Sequence, residues 1–324
     1  MYQAFYKLRR SPFEITPDPS FLFPTKKHND ALAALYYGVR WRKGFVVLTG
    51  GVGTGKTLLL RCLLQLLEQS KDVKYAYLFN SRLSSLDFLQ YVVRDFGLPA
   101  SGKRKGELLF ELCNFVVKRG LQNLTTVLIV DEAHNLSAEA LEEVRLLTNL
   151  ETAQHKLLQV VLVGQPELND KLDSVSLTQL KQRITVRSHL EPLTLDETRG
   201  YIEKRMKLAG AESAEAFFPP ATVEAVHRHS GGIPRLINTL CENGLMSAYG
   251  KQIQSVSSNI IRDLAREFRL DVIRPMQVQG ATAVEDMDLQ RAAKTLLDLY
   301  TSLNRPASAN GGSTMSSARP IPQI

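Results

Sequence analysis

Cysteine is scarce: Cys62, Cys113 and Cys241 are the three in 324 residues. They lie far apart in apolar, helix-patterned stretches, so neither a disulfide framework nor a zinc site has the spacing it would need. They are expected to be small buried hydrophobes. No stretch approaches the roughly 18 uninterrupted apolar residues of a membrane helix. Basic residues near the N-terminus have no apolar run behind them, which argues against a signal peptide. A soluble, cytoplasmic protein is therefore expected. His227 and His229 have no third ligand in register, and no serine or cysteine triad pattern is present. There are no internal repeats. Neither a helix-turn-helix nor an aromatic stacking platform is evident, and aromatic residues make up only 7% of the chain.

Against those absences stand a 44% hydrophobic content, enough for a large core, and a formal net charge of +7. The charge permits contact with nucleic acid or another anionic partner without requiring it. Four short apolar runs read as buried strands: Phe45–Thr49, Tyr75–Phe79, Val127–Asp131 and Leu158–Val163. A weaker fifth is Val186–Leu190. Helical patterns lie between them, so the expected fold is α/β, a five-stranded parallel sheet with helices on both faces. After Pro192 the strands stop. A capping box at Thr194–Glu197 opens one helix, a second starts near Pro220 and ends at Gly231-Gly232, a third starts at Pro234, and a fourth covers Ser258–Phe268. This is a small all-helical lid. The expected division is 1–192 for the nucleotide-binding α/β domain, 193–270 for the lid and 271–324 for a tail. In the tail, Leu289, Ala293, Leu296, Tyr300 and Leu303 share one face of an amphipathic helix over 286–303. Residues 305–324, rich in Pro, Ser, Gly and Asn, are expected to be disordered.

The chemistry is carried first by Gly50-Gly51-Val52-Gly53-Thr54-Gly55-Lys56-Thr57, which satisfies every position of the phosphate-loop pattern G-x-x-x-x-G-K-[ST] between a strand and a helix. Backbone N–H groups of such a loop surround a phosphate, with the helix N-terminus adding its positive dipole end. Lys56 is expected at the β- and γ-phosphates of ATP, and the Thr57 hydroxyl on Mg²⁺. Strand Val127–Asp131 ends in two carboxylates. Asp131 is expected to hold Mg²⁺, and Glu132 to orient and polarise the attacking water. Asp131-Glu132-Ala133-His134 shares four letters with certain helicases, but the chain has room for one P-loop domain rather than a tandem pair, so His134 is read as a local structural residue. Gln165, after the fourth strand, is the candidate γ-phosphate sensor. Arg183 at the entrance to the last strand is the candidate arginine finger reaching a neighbouring subunit, with Arg187 in reserve. Arg235, opening a lid helix, is expected to swing onto the γ-phosphate.

Together these residues resemble the AAA+ superfamily. Met1–Leu8, Ser11–Phe23, Gly44–Gly50, Leu162–Leu168, Leu180–Ile184 and Gly231–Ile237 are similar to the ExeA/GspA group of ATPases from general secretion, type IV pilus and exopolysaccharide systems. The likeness covers residues 1–268. It implies nucleotide held between sheet and lid, ring-like or filamentous self-assembly, a protein partner in a secretion or polysaccharide-export machine, and His28 near the adenine. Gln165 departs from the Asn or Thr usual at this sensor in AAA+ proteins, though it suits this group. Secretion members continue into a membrane helix and a peptidoglycan-binding domain. This sequence shows neither, which points to a short soluble relative such as the ATPases of exosortase and polysaccharide loci. The alternative is a DNA-binding AAA+ regulator like the transposition ATPases. The basic loop Lys103-Arg104-Lys105 is the only local feature in its favour, and a solvated charged loop is its simpler reading.

Overall fold

A computed structural model describes residues 2–79, 83–152 and 155–270. The expected tail helix over 286–303 and the disorder expected beyond it lie outside the described residues. Five strands form one sheet: β1 (Phe45–Gly50), β2 (Val73–Leu78), β3 (Thr125–Val130), β4 (Leu158–Gly164) and β5 (Ile184–Leu190). The order is β2-β3-β4-β1-β5 and every pairing is parallel. The intervening helices are α1 (Tyr2–Phe5), α2 (Lys26–Arg40), α3 (Lys56–Glu68), α4 (Ser85–Asp95), α5 (Lys105–Leu121), α6 (Ala138–Leu147), α7 (Glu167–Leu172) and α8 (Thr178–Lys181). The lid holds α9 (Leu195–Leu208), α10 (Pro220–Ser230), α11 (Pro234–Gly250) and α12 (Ser258–Glu267).

Both faces of the sheet are covered, which explains why β1, β3 and β4 read as continuous apolar runs rather than alternating ones. Successive side chains still point to opposite faces. Val46, Leu48, Val127, Ile129, Val161 and Val163 pack under α2 and α3. Val47, Leu128, Val130, Val160 and Leu162 pack against the layer of α4, α5 and α6. β5 is one edge of the sheet and is mostly half-buried or exposed, so its pattern is the weakest. No helix among the described residues is long and apolar enough to cross a membrane.

The lid helices start and stop for local reasons. At α9 the capping box is complete: Thr194 N–H donates to Glu197 Oε2 at 2.9 Å and Glu197 N–H to Thr194 Oγ1 at 3.2 Å. Pro occupies the first turn of α10 and of α11, where no intrahelical N–H is needed.

One grouping differs from expectation. Residues 2–13, assigned by sequence to the sheet domain, bury Tyr2, Tyr6, Leu8 and Phe13 in the lid core with Phe218, Ile237, Leu240 and Leu245. Tyr2 OH donates to Glu242 Oε1 at 2.6 Å, and Tyr6 OH reaches the carbonyls of Leu245 and Ile253. Arg205 Nη1 donates to Pro12 O at 2.8 Å. The aromatic spacing of this segment shows that it is buried, but not which partner covers it. The chain then crosses to the sheet, where Pro17 O accepts from Arg61 of α3 at 2.7 Å.

At the entrance to the lid, Leu193 N–H donates to Gly232 O at 2.8 Å. Gly232 has φ +74°, and a Cβ there would lie 2.0 Å from Leu193 O, a backbone atom with no freedom to move aside. Gly232→Ala combines left-handed strain of about 1–2 kcal/mol with that clash. It is expected to lower the melting temperature by several degrees at least, measured by thermal unfolding, while Gly250→Ala, which meets nothing within 4 Å, should not.

Candidate nucleotide site

Because the strands are parallel, their C-terminal ends share one edge, and β4 lies between β1 and β3. The loop after β1, the carboxylates after β3 and Gln165 after β4 therefore emerge side by side, in the crevice where α/β sheets bind ligands. Gly50, Gly51, Val52, Gly53, Thr54 and Gly55 form the loop, and α3 begins at Lys56. The Thr54 hydroxyl closes it by donating to Gly51 O at 2.9 Å.

Lys56 is 5% exposed, and its ammonium donates to Gly50 O and Gly51 O, both at 2.9 Å. Burial pushes its pKa down, opposed by the charges of Glu132, Asp131 and Glu167. A buried cation held by neutral carbonyls beside the first-turn N–H groups of a helix is a fitting cradle for a polyanion. Thr57 Oγ1 donates to Asp131 Oδ2 at 3.1 Å, bringing together two residues 74 apart in sequence. Asp131 is buried, and its carboxyl is pushed up by desolvation although the Glu132 N–H, Thr57 and Tyr77 all donate to it. A hydroxyl and a carboxylate in contact are hard oxygen donors of the kind Mg²⁺ takes.

Glu132 follows Asp131 in left-handed conformation, φ 52°, which turns the chain into a 3-10 turn over Ala133–Asn135. Its Oε2 lies 3.4 Å from His134 Nδ1. Gln165 also meets this histidine, Nε2 to Nε2, at 3.1 Å. Gln165 and Glu132 thus converge on a residue read from sequence as merely local. From the lid, Arg235 N–H donates to Gly53 O at 3.2 Å. Gly53 has φ +78°, and a Cβ there would lie 2.8 Å from Arg235 Cβ and 3.0 Å from Ile233 Cγ2, so the lid approaches the loop as closely as glycine allows.

Two expected residues are elsewhere. Arg183 lies over the C-terminal end of α6, donating to Arg145 O at 3.2 Å and to Thr148 Oγ1 at 3.1 Å within its own chain. Arg187 is exposed on β5, in register with Val47. Sequence reading missed Tyr77, whose hydroxyl donates to Asp131 Oδ2 at 3.3 Å. It belongs to no local motif, and only the pairing of β2 with β3 brings it there. His28, expected near the adenine, is buried behind the loop, between Thr25 Oγ1 at 2.7 Å and Thr54 O at 3.2 Å.

The comparisons with known proteins agree with this geometry. Residues 39–172 match the AAA domain family. The chain is 44% identical over 255 residues, 78% of its length, to general secretion pathway protein A of Aeromonas hydrophila, of which the match covers 45%. It is 24% identical over 234 residues, 71% of this chain and 68% of that one, to the ATP-dependent target DNA activator B of Escherichia phage Mu. The crystal structure of Cdc6p from Pyrobaculum aerophilum superposes with a TM-score of 0.60 at 18% identity, over 82% of this chain and 70% of that one. Residues 39–172 thus carry an AAA domain, on the fold of P-loop AAA+ proteins. The chain resembles general secretion pathway protein A, and it spans less than half the length of that relative.

Burial pushes the His28 pKa below its ordinary value near 6.5, which means that the folded state favours the neutral ring. The unfolded chain then binds the extra proton, so this contribution is complete above about pH 6.5 and lost as pH falls towards the depressed value. His28→Gln is expected to flatten the acid limb of stability below about pH 6.5, measured by denaturant unfolding at each pH. An unchanged limb would remove His28 as its source.

Proposed function

We propose that the chain binds ATP with Mg²⁺, hydrolyses it, self-assembles, and drives or regulates assembly of a secretion, pilus or exopolysaccharide-export system. The observation that carries the nucleotide half is the Thr57–Asp131 contact at 3.1 Å beside the buried Lys56. Lys56 neutralises the β/γ-phosphates through charge-assisted hydrogen bonds. Thr57 and Asp131 hold Mg²⁺, which supplies further neutralisation of phosphate charge. Glu132 orients the attacking water, and Gln165 faces the γ-phosphate from between the two motifs. Arg235 approaches from the lid, whose contact with Gly53 O makes lid position sensitive to the phosphate loop. The secretion-system half rests on the likeness to general secretion pathway protein A.

The second reading, a DNA-binding regulator, draws on the phage Mu relative, named a target DNA activator. The basic loop lends it little. Lys103 pairs with Glu111 at 2.7 Å and Lys105 with Glu143 at 2.5 Å, so two of its three charges are met within the chain. ATPase rate with and without DNA across a salt series separates the readings, because stimulation by DNA contact falls steeply with salt.

Lys56→Ala is expected to abolish productive ATP binding, measured by titration with a fluorescent ATP analogue. Glu132→Gln keeps the shape but cannot polarise water as a carboxylate does. It should bind ATP and turn it over on the order of 10² times more slowly or worse. Lost binding with preserved turnover of the bound fraction would make Glu132 structural instead.

Arg183 is proposed as a finger in trans, for which it must leave the carbonyl of Arg145 and the hydroxyl of Thr148. Mixing Arg183→Ala with Lys56→Ala subunits should then recover turnover, one supplying the finger and the other the pocket. No recovery at any ratio, with assembly intact, would transfer the proposal to Arg187.

A further inference from the structure

We propose that Tyr77 is a positioning residue for Mg²⁺ binding, holding the Asp131 carboxylate in place independently of Thr57. The inference rests on the reading of the site as one for ATP with Mg²⁺. Asp131 is buried, and its two oxygens are held unequally among the described residues. The Glu132 N–H donates to Oδ1 at 2.9 Å. Thr57 Oγ1 at 3.1 Å and the Tyr77 hydroxyl at 3.3 Å both donate to Oδ2. An ionised carboxylate offers about four lone-pair sites, so these donors leave room for an ion or its water.

The torsion that turns an Asp carboxylate about its last bond is broad and lacks sharp staggered wells. The plane of the carboxylate is therefore set by its hydrogen bonds rather than by a rotamer. Of the two hydroxyls on Oδ2, that of Thr57 belongs to a proposed Mg²⁺ ligand, so its orientation must also suit the ion. Tyr77 has no such second duty. A phenol keeps its proton at neutral pH, and a carboxylate only accepts. The Tyr77 hydroxyl thus stays a donor to Oδ2 however Thr57 is turned. With the Glu132 N–H on Oδ1, it gives each oxygen one hold from outside the ligand pair.

Tyr77 is itself firmly placed. β2 is an edge strand of the sheet, and α4 ties the backbone of this residue on both sides. Tyr77 N–H donates to Asp95 Oδ2 at 2.7 Å, and Tyr77 O accepts from the Tyr91 hydroxyl at 3.3 Å. Its ring is buried in the apolar layer that contains Leu60, Leu63 and Ile129. The phenol therefore carries the rigidity of α4 and of the core to the carboxylate. Hydrogen-bond partners of ligating carboxylates are part of a metal site, and their loss typically costs about 10- to 100-fold in metal affinity or activity. A donor to Oδ2 also draws some charge from it, which opposes this effect. The usual sense of the change, a loss of affinity, makes orientation the larger of the two.

The test is Tyr77→Phe, which removes the hydroxyl and keeps the ring that fills the apolar layer, so the variant is expected to fold. Two binding measurements accompany wild type and variant. Mn²⁺, a paramagnetic stand-in for Mg²⁺, is titrated by electron paramagnetic resonance in the presence of a non-hydrolysable ATP analogue. A fluorescent ATP analogue is titrated in Mg²⁺ and in EDTA. Expected in Tyr77→Phe are Mn²⁺ affinity lower by about tenfold or more and analogue affinity in EDTA within about twofold of wild type. The Mg²⁺ concentration for half-maximal ATPase rate should rise by a similar factor, with kcat at saturating Mg²⁺ largely retained. Unchanged or tighter Mn²⁺ binding in the variant would overturn the proposal. So would an equal loss of analogue affinity with and without the ion, which would make the hydroxyl a support for the phosphate loop instead. A wild-type protein that binds neither analogue nor Mn²⁺ defeats the nucleotide reading itself, whereas wild-type Mn²⁺ affinity in Tyr77→Phe defeats only the present inference.

Discussion

The contact between the Thr57 hydroxyl and the Asp131 carboxylate depends on one constraint: every strand of the sheet runs the same way. Parallel pairing of β1 with β4 and of β4 with β3 places the ends of three strands on one edge, in register from Phe45 opposite Val160 to Val130 opposite Leu162. A shift of one residue in either pairing would turn each strand's side chains to the other face of the sheet. It would also move a carboxylate by about 3.3 Å, enough to break the contact. The two apolar layers that clamp the sheet therefore hold the site geometry as well as the fold. Their burial gives β3 and β4 a rigidity that loops alone would not provide.

The same edge concentrates groups that are costly to bury. Lys56 and Asp131 are both nearly inaccessible, and desolvation pushes each towards its neutral form. Hydrogen bonds from the Glu132 N–H, Thr57 and Tyr77 offset part of that cost for the carboxylate. Among the described residues, the ammonium's hydrogen bonds go to two carbonyl oxygens. Such tension is characteristic of sites that receive a charged ligand, because the ligand supplies the missing counter-charge. It accords with the proposed role of Lys56 towards phosphate and of Asp131 towards Mg²⁺.

The lid is attached to this edge in more than one way. The start of α11 touches Gly53, and the N-terminal segment lies in the lid core before crossing to α3 and α2. A segment anchored on both bodies limits how they separate. The lid meets the phosphate loop through a backbone hydrogen bond, Arg235 N–H to Gly53 O.

Much of this was legible without coordinates. The phosphate loop, the carboxylate pair and the five strands follow from local pattern, because a β-strand's apolar run and a glycine-rich turn are properties of adjacent residues. The starts of α9, α10 and α11 were legible for the same reason: a capping box and two first-turn prolines act within one helical turn. What the sequence could not decide were matters of distant pairing. Tyr77 reaches Asp131 only because β2 lies beside β3, and His134 meets Gln165 only because β4 follows β3 in the sheet. Tyr2 and Tyr6 were recognisable as buried aromatics, but their place in the lid depends on α11. Arg183 was read by motif, but its resting place on the end of α6 within one chain follows from the fold. Local hydrogen-bond geometry is written in consecutive residues. Contacts between residues dozens of positions apart depend on strand order and register, which the packing of the whole core selects.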